Sequence, residues 1–293
     1  MNLTVGEKIN DLRKRLNISQ AGLANGVCSQ SELSRIERDQ HQPSYITLKG
    51  IADKLGVHIT YFLADSDSER EDYLNEVWSQ LEQARRDRDY VIIKEIVKLE
   101  QDNPLFQTQQ ARRHLMWHKA ILQYHIDKDF KAAINTLKDC LSLSSFDRFS
   151  AEINIQVLCS LGIMFRLEGD LLEAKNYHEQ AYDLINEITN LKDKRIIAKV
   201  RFNLAKVYTD LNELDKSLEV CKHGLAYCRE QEDLFAFADF HYQIGHNLIK
   251  KGQTDKGIKY WEKAKFLFEL QGKTQLAEII EHDIETFQEH EWV

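Results

Sequence analysis

The chain has 293 residues, and its content of 43% hydrophobic and 29% charged residues is ordinary for a soluble globular protein. Its 2 prolines and 12 glycines are too few for a sandwich of many short strands, so the composition favours long helices. The net charge of −8 excludes a chain that is basic throughout and coats nucleic acid. The sequence contains no run of about 18 apolar residues that could span a membrane. Its charged, amphipathic start is unlike a signal peptide.

The cysteine and histidine patterns indicate no metal site and no cofactor. The 5 cysteines have neither CxxC nor Cys/His metal-ligand spacing, so we expect buried free thiols in a reducing cytoplasm. His114 and His118 lie four residues apart with no evident third ligand, which favours an ordinary helix face. No nucleophile elbow, phosphate loop or HExxH motif is found, so the sequence predicts no catalytic residues and no enzyme.

The first 63 residues have the pattern of five short helices. Apolar residues recur at helical spacing from Val5 to Leu16, and a serine that can act as an N-cap precedes the second and the third helix. These serines are Ser19 and Ser29, and Pro43 and Ser44 are expected to start the fourth helix. The fourth helix is expected to end at Gly56, and the fifth to cover residues 59–63.

The composition changes after this region. Residues 64–68 are small and polar and predict a linker, which gives an N-terminal domain of residues 1–65 and a C-terminal domain of residues 66–293. Residues 1–65 contain 8 basic and 7 acidic residues, so the rest of the chain carries a net charge of −9. We therefore expect the C-terminal domain, and not the N-terminal one, to be repelled by phosphate.

The C-terminal part repeats itself. Five segments align on a small or apolar residue, at intervals of 40, 41, 43 and 40 residues. These first anchors are Leu81, Ile121, Gly162, Ala205 and Gly245, and the second anchors, 12 residues later, are Ile93, Ala133, Ala174, Ser217 and Gly257. Small residues let the two helices of a hairpin cross closely. The pattern predicts a solenoid of about five helical hairpins, similar to stretched tetratricopeptide repeats (TPR), with a capping helix over residues 274–290.

The stretch from Ser19 to Glu37 resembles the helix-turn-helix of the phage-repressor (Xre/Cro) class, although its turn is about one residue shorter. Ala21 and Ala24 are small where the second and third helices are expected to cross. The apolar residues that can build the core are Leu23, Val27, Leu33 and Ile36. The resemblance spans residues 5–63 and implies a DNA-binding domain whose third helix enters the major groove.

The polar side chains left outside have the length to reach base edges and phosphates. The candidate DNA-binding residues are Gln20, Ser29, Gln30, Ser31, Ser34 and Arg35. Arg35 could instead pair with Glu32 or Asp39 on a solvated helix face. Because the domain is nearly neutral, each copy offers few phosphate contacts, so we expect a homodimer on double-stranded DNA with a near-palindromic operator.

The combination of this N-terminal domain with this solenoid resembles the PlcR-like members of the peptide-responsive quorum-sensing regulators of Gram-positive bacteria. The stretches that carry the resemblance are residues 28–37, residues 48–55 (Leu-x-Gly-Ile-Ala-x-Lys-Leu) and residues 200–206 (Val-Arg-Phe-Asn-x-Ala-Lys). The resemblance implies an all-α fold, a five-helix domain followed by a right-handed TPR-like solenoid. It also implies a homodimeric, cytoplasmic transcription factor, here expected to be an activator, that binds a short signalling peptide on the concave face of the solenoid.

The anchors also predict which side chains face that groove. If the first anchors are buried, the side chains two residues before and one residue after each anchor point to the concave side. Asn203, Lys206, Gln243 and His246 occupy such positions. Asparagine and glutamine can donate to and accept from one peptide unit at once. Phe202 and Tyr242 can offer pockets for side chains, and Lys206 or Arg201 can meet a carboxylate.

The resemblance adds further candidates and leaves one alternative open. Cys159 stands where the resemblance leads us to expect another asparagine, so either that contact has moved to Asn154 or Gln156, about one turn away, or the ligand differs. Arg86 and Arg88 fall near basic residues that the family uses for an acidic peptide, but they could also form a solvated charged loop. The candidate peptide-binding residues are Arg86, Arg88, Asn154, Cys159, Arg201, Phe202, Asn203, Lys206, Tyr242, Gln243 and His246. The alternative is that the solenoid docks a protein partner instead of a peptide.

Overall fold

The computed structural model describes residues 4–57, 59, 62, 67–143, 148–188, 191 and 193–290. Within these ranges the regular structure consists of fifteen α-helices and one short 3-10 helix, with no strand. The prediction of an all-α fold is confirmed. The chain divides into two compact units, an N-terminal unit of residues 1–86 and a C-terminal unit of residues 87–293.

Four short helices of the N-terminal unit match the predicted ones. They are α1 Val5–Arg15, α2 Gln20–Ala24, α3 Gln30–Ile36 and α4 Tyr45–Leu55, followed by α5 Asp67–Asp87. The two predicted serine caps are confirmed, because each side chain accepts the backbone N–H three residues on: Ser19 from Gly22 and Ser29 from Glu32. Ser44 caps α4 in the same way, by accepting the N–H of Thr47. The α4 helix ends at Gly56 in the left-handed conformation, as predicted.

The segment between α4 and α5 carries two predictions that the structure does not reach. The predicted fifth helix lies largely outside the described residues, although Phe62 is helical and fully buried. Residues 63–66 also lie outside them, so the domain boundary after residue 65 stays a prediction. The predicted linker is too long at its end, because Asp67 and Ser68 already belong to α5.

The core of the N-terminal unit joins its four helices. Ile9 of α1, Leu23 of α2, Ile36 of α3 and Ile51 of α4 are at most 1% exposed and pack in one cluster. The predicted core residues Leu33 and Val27 belong to the same cluster. The prediction for α2 is half wrong: Ala24 is buried, but Ala21 is exposed, because the buried side of this short helix is centred on Leu23 and Ala24 near its end.

The C-terminal unit contains ten helices among its described residues. They are α6 Tyr90–Glu100, α7 Gln109–His125, α8 Phe130–Ser142, α9 Arg148–Leu167, α10 Leu171–Glu187, α11 Arg195–Asp210, α12 Leu214–Glu230, α13 Phe237–Lys250, α14 Thr254–Leu270 and α15 Thr274–His290. Four hairpins (α7–α8, α9–α10, α11–α12 and α13–α14) and the capping helix α15 are confirmed as packed neighbours. The first predicted hairpin corresponds to α5 and α6, which fall on either side of the division between the units.

The anchors are buried at the helix crossings, as the repeat predicts. One close crossing joins α13 and α14, where a Cβ added to Gly245 would lie 2.4 Å from Cδ1 of Trp261 and 2.7 Å from the carbonyl oxygen of Gly257. No larger residue fits there without a shift of the backbone. The first helices α7, α9, α11 and α13 each contact the next first helix, so they form the more crowded, inner layer of the stack.

Two further features follow from the described residues. The five cysteines are free thiols, and all except the half-buried Cys28 are buried, as expected. No described helix combines the length and the apolar character that a bilayer crossing requires.

Candidate functional site

Helix α3 leaves its polar side chains in solvent. Ser29, Gln30, Ser31 and Arg35 are exposed and Ser34 is half-buried, while Leu33 and Ile36 hold the opposite face in the core. The structure therefore brings five of the six predicted DNA-binding residues to the outer side of one capped helix. Their lengths suit contacts with phosphates and base edges.

Arg35 has no ion-pair partner among the described residues. The two carboxylates considered for it are engaged elsewhere: Glu32 lies 3.9 Å from Nε2 of His41, and Asp39 accepts hydrogen bonds from the hydroxyl of Thr4 and, at 3.1 Å, from the amide of Gly6. The guanidinium of Arg35 is thus exposed and available to a ligand.

A buried ion pair that the sequence analysis missed fixes the position of α3. The guanidinium of Arg13 donates to both carboxylate oxygens of Glu37, over 2.6 and 2.9 Å, and to the carbonyl of Ile18 over 3.0 Å. Gln20 donates to the same carboxylate over 2.8 Å. Burial opposes ionisation of Glu37, but the bonds from Arg13 and Gln20 outweigh it and hold the pKa of Glu37 below its ordinary value.

This network changes the interpretation of Gln20. Its amide nitrogen points to Glu37 rather than to solvent, so its first role is to tie α2 to the end of α3. Spacing could not have revealed the network, because Arg13 and Glu37 are 24 residues apart and lie on different helices.

A cavity of about 180 Å³ lies among the inner helices of the C-terminal unit. Its lining residues come from α9, α11 and α13: Arg166, Lys206, Thr209, Asp210, Tyr242, Gln243 and His246. We call it the inner cavity. Four of the predicted peptide-binding residues, Lys206, Tyr242, Gln243 and His246, are brought together in it.

Two polar side chains of α11 have no partner among the described residues, and of the two only Lys206 lines the inner cavity. Asn203, one turn before Lys206, is half-buried, and its amide makes no hydrogen bond to any described residue. Lys206 is half-buried, and no described carboxylate lies within 4 Å of its ammonium group. Burial lowers the pKa of Lys206, and the charge of Arg166 lowers it further.

The opposite wall is rigid and largely neutral. Tyr242 stacks on Trp261 with ring centres 5.6 Å apart and donates its hydroxyl to Asp283 over 3.2 Å. Burial and the adjacent Asp283 raise the pKa of Tyr242 to about 12, so the phenol stays protonated. Burial lowers the pKa of His246, which favours its neutral form.

Gln243 lines the inner cavity but is not free as predicted. It is 6% exposed, and its amide nitrogen donates to the hydroxyl of Thr209 over 2.7 Å. Thr209 in turn bonds to Asn247 and Ser217, so this polar network joins α11, α12 and α13. The network uses one N–H of Gln243, so its carbonyl oxygen and its second N–H remain.

Two predicted groove residues of α11 have other positions. Arg201 lies on the opposite side of the helix from Asn203, donates to the carbonyl of His223 over 3.3 Å and stacks over the ring of Tyr227 at 5.0 Å. The prediction that Arg201 meets a carboxylate in the groove is therefore not supported. Phe202 is no open pocket, because it packs edge-on against Phe240, with ring centres 5.9 Å apart.

The two candidates on α9 are also engaged. Cys159 is 7% exposed and packs in an apolar cluster with Ile155 and Leu158. The side-chain oxygen of Asn154 accepts a hydrogen bond from the buried guanidinium of Arg113. Neither side chain lines the inner cavity, because both belong to the packing between neighbouring helices.

The two arginines between α5 and α6 differ. Arg86 is exposed and lies 3.4 Å from Glu82 on its own helix, which matches the alternative of a solvated charged surface. Arg88 is exposed, and its positive charge contributes to the lowered pKa of Lys206. Arg88 does not line the inner cavity.

Three lining residues were missed: Arg166, Thr209 and Asp210. Nε of Arg166 lies 2.5 Å from a carboxylate oxygen of Asp210, so two of the lining residues form an ion pair. Arg166 and Asp210 follow their anchors by four and five residues. A search one helical turn further along each first helix would have found them. No group of three His, Cys, Asp or Glu side chains that could hold a metal occurs in the described parts of the chain.

Comparison with protein families gives two matches. Residues 78–287 match the RNPP family C-terminal domain, and residues 9–62 match a helix-turn-helix domain. Together they cover both units, and the first match alone covers more than half of the chain.

Two curated relatives are similar in sequence. The transcriptional activator NprA of Geobacillus stearothermophilus is 23% identical over 263 residues, which are 89% of this chain and 62% of NprA. The immunity repressor protein of Bacillus phage phi105 is 36% identical over 64 residues, which are 22% of this chain and 44% of the repressor. The chain thus matches about three fifths of the length of the first relative and less than half of the second.

Two solved structures share the fold along nearly the whole chain. PlcR of Bacillus thuringiensis, in complex with the peptide PapR7 and DNA, has a TM-score of 0.72 at 21% identity and covers 95% of this chain and 99% of its own. ComR of S. thermophilus, in complex with DNA and its signalling peptide ComS, has a TM-score of 0.62 at 17% identity, covering 97% and 99%. At these identities the likeness establishes the fold.

Proposed function

The chain belongs to the RNPP family, and from that premise we propose that it is a transcription regulator whose DNA binding is controlled by a short signalling peptide. Helix α3 reads the operator, and the inner face of the solenoid holds the peptide. Similarity to the activator NprA supports activation rather than repression. Family membership also confirms the prediction that the chain is not an enzyme.

One observation carries this proposal. In each unit, the fold leaves reachable polar groups without a partner among the described residues: Arg35 on α3, and Asn203 and Lys206 on α11. A ligand can pair with these groups without breaking a hydrogen bond or ion pair among the described residues. An exposed arginine on a capped helix suits DNA, and a half-buried amide in a groove suits a peptide backbone.

Assembly and location belong to the same proposal. Residues 1–65 carry a net charge of only +1, so a single copy offers few phosphate contacts. A homodimer on a near-palindromic operator doubles those contacts and fits a helix-turn-helix reader. Free thiols throughout fit a reducing cytoplasm.

The alternative, a solenoid that docks a protein partner, is less well supported. A cavity of about 180 Å³ that is walled by the fixed ring of Tyr242 suits one side chain or chain end rather than a flat protein surface. A short peptide, unlike a docked protein, can also bind without a large apolar area on the inner helices.

The test uses the full-length chain and two unbiased pools. Operator sequences are selected from random duplex DNA, and peptides are selected from a pool of synthetic random heptapeptides with free C-termini. The affinity for the selected duplex is then measured by fluorescence anisotropy with and without the selected peptide.

We expect saturable peptide binding and a change in DNA affinity of at least about tenfold, which corresponds to roughly 1.4 kcal/mol of coupling. If no peptide binds, or if a bound peptide never alters DNA affinity, peptide control is excluded. If a pull-down recovers one stoichiometric protein partner, and no peptide changes the DNA affinity, the alternative is established.

A further inference from the structure

Four buried polar side chains from three helices form one hydrogen-bonded cluster at the inner cavity. Thr209 of α11, Ser217 of α12 and Asn247 of α13 are at most 3% exposed, and Gln243 of α13 is 6% exposed. Thr209 and Gln243 line the cavity, whereas the other two do not. Because a buried polar group without a hydrogen bond destabilises the fold, the way in which these groups share their hydrogen atoms is constrained.

The hydrogen bonds of this cluster run in one direction. The amide nitrogen of Gln243 donates to the hydroxyl of Thr209 over 2.7 Å, and that hydroxyl donates to the amide oxygen of Asn247 over 2.7 Å. The amide nitrogen of Asn247 donates to the hydroxyl of Ser217 over 2.7 Å, and this hydroxyl donates to the backbone carbonyl of Ala205 over 2.7 Å. We call these four bonds the directed chain.

The last acceptor sets the direction. A backbone carbonyl can only accept, and each hydroxyl has one hydrogen to donate. In the reverse direction Thr209 would donate to the oxygen of Gln243, and Ser217 would donate to the oxygen of Asn247. No hydrogen would then be left for the carbonyl of Ala205, so three bonds would replace four. The directed chain therefore holds the amide nitrogen of Gln243 against Thr209.

The orientation of this amide decides what the cavity wall offers to a ligand. In a planar amide the oxygen and the nitrogen lie on opposite sides, so the carbonyl oxygen of Gln243 is turned away from Thr209. This oxygen has no hydrogen bond to any described residue, and it is not sealed inside the protein. The wall thus presents a fixed hydrogen-bond acceptor, which a ligand donor can meet without disturbing the directed chain.

We propose that Thr209, Asn247 and Ser217 are positioning residues that aim the carbonyl oxygen of Gln243 into the inner cavity, so that this wall takes a neutral hydrogen-bond donor of the bound peptide. The inference rests on the proposed function and specifies one recognition contact at that site. The donor is neutral because the ammonium group of Lys206 lines the same cavity and repels a second cation. It is either a backbone N–H or a hydroxyl or amide of a side chain.

The experiment uses the full-length protein and one heptapeptide that the wild type retains from the random pool. One set of derivatives carries a single N-methyl group on each backbone amide in turn, which removes one N–H and keeps the carbonyl. A second set replaces each side chain that has a neutral donor by an apolar one of similar size. Isothermal calorimetry gives the penalty of each derivative, defined as its loss of affinity relative to the parent peptide.

The penalties are measured on the wild type and on four variants. Gln243→Met removes the acceptor, Thr209→Val removes the hydroxyl that positions it, and Thr209→Ser keeps that hydroxyl. The matched control is Thr286→Val on α15, because Thr286 is exposed and its hydroxyl likewise bonds to the carbonyl four residues earlier, that of His282, over 2.8 Å.

On the wild type, one derivative is expected to show a penalty of at least about tenfold, because the oxygen of Gln243 loses its donor. A backbone position assigns the donor to an N–H, and a side-chain position assigns it to that side chain. In Gln243→Met and in Thr209→Val this penalty should fall below about threefold, since the acceptor is absent or no longer held in one orientation. Thr209→Ser and Thr286→Val should keep the penalty of the wild type.

The contrary outcomes are distinct. If Thr209→Val weakens every peptide equally and keeps the penalty, Thr209 has only a structural role and the proposal is overturned. It is also overturned if no penalty depends on Gln243, which Gln243→Met decides even when Thr209→Val does not fold. Both results leave the proposed function intact. If the wild type retains no peptide from the random pool, the proposed function and this inference are both overturned.

Discussion

The guanidinium of Arg13 and the carboxylate of Glu37 form a two-point ion pair at the end of α3, with nitrogen–oxygen distances of 2.6 and 2.9 Å. Their side chains are only 11% and 3% exposed. The pair joins the first helix of the N-terminal unit to the helix that carries the candidate DNA-binding side chains. The orientation of α3 therefore depends on a buried charge pair as well as on apolar packing.

Glu37→Gln should lower the free energy of unfolding of the N-terminal unit by about 3 kcal/mol, because it leaves the buried guanidinium of Arg13 without its counter-charge. Urea denaturation followed by circular dichroism measures the change. The control is Glu32→Gln on the outer side of the same helix, which should change stability by less than about 0.5 kcal/mol. Equal stability of both variants would show that the pair does not hold α3.

Arg35→Ala should weaken binding to the selected operator by about 1–3 kcal/mol or more, because the exposed guanidinium is the strongest base-reading group on α3. Its melting transition should stay nearly unchanged. Fluorescence anisotropy with the selected duplex measures the affinity, and Lys14→Ala, an exposed cation outside α3, is the control. Retained discrimination between operator and random duplex in Arg35→Ala would place the reading surface elsewhere.

Asn203→Ala should weaken binding of the selected peptide by about 1–3 kcal/mol, because the peptide unit that pairs with the amide would lose its partner. Isothermal calorimetry measures this affinity, and sedimentation should show the same oligomeric state as the wild type. Asn176→Ala on the outer helix α10 is the control, since that side chain is exposed. Peptide affinity that is the same in both variants would remove Asn203 from the site.

The stability of the C-terminal unit should fall as the pH drops from about 6.5 toward 3. His178 is fully buried, neither ring nitrogen has a hydrogen-bond partner among the described residues, and burial lowers its pKa to about 3. Between these values the unfolded chain binds the proton and the folded chain does not, so acid favours unfolding; above pH 6.5 this contribution is complete.

Denaturation curves at several pH values test this dependence on the wild type and on His178→Leu. The variant should lose most of the slope between pH 6.5 and 4, whatever its absolute stability. His282→Leu, at an exposed position on α15, should keep the slope. A slope that persists in His178→Leu would assign it to other groups.

Gly245→Ala should destabilise the C-terminal unit by about 1–3 kcal/mol through overpacking. The added Cβ would lie 2.4 Å from the ring of Trp261 and 2.7 Å from the carbonyl of Gly257, which leaves no room without a backbone shift. Thermal denaturation measures the loss, and Lys251→Ala at a neighbouring exposed position is the control. A variant as stable as the wild type would show that the hairpin can open at this crossing without cost.

The sequence by itself determined the elements of this protein and their order. N-caps such as Ser19 and Ser29 are local signals, and buried anchors such as Ala205 and Ser217 recur because every hairpin has the same crossing. These features depend on residues within one or two helices, so spacing along the chain contains them. The family resemblance added the expectation of a DNA-binding unit joined to a peptide-binding solenoid.

Only the tertiary structure decided which side chains meet. Arg166, Lys206 and His246 are each about 40 residues apart and share a cavity because the packing of α9, α11 and α13 turns those faces together. The same packing places Arg201 against the ring of Tyr227. The spacing along the chain had instead predicted that Arg201 faces the groove. A helical period gives the face of one helix, but how far each helix is rotated against its neighbours depends on contacts made by the whole fold.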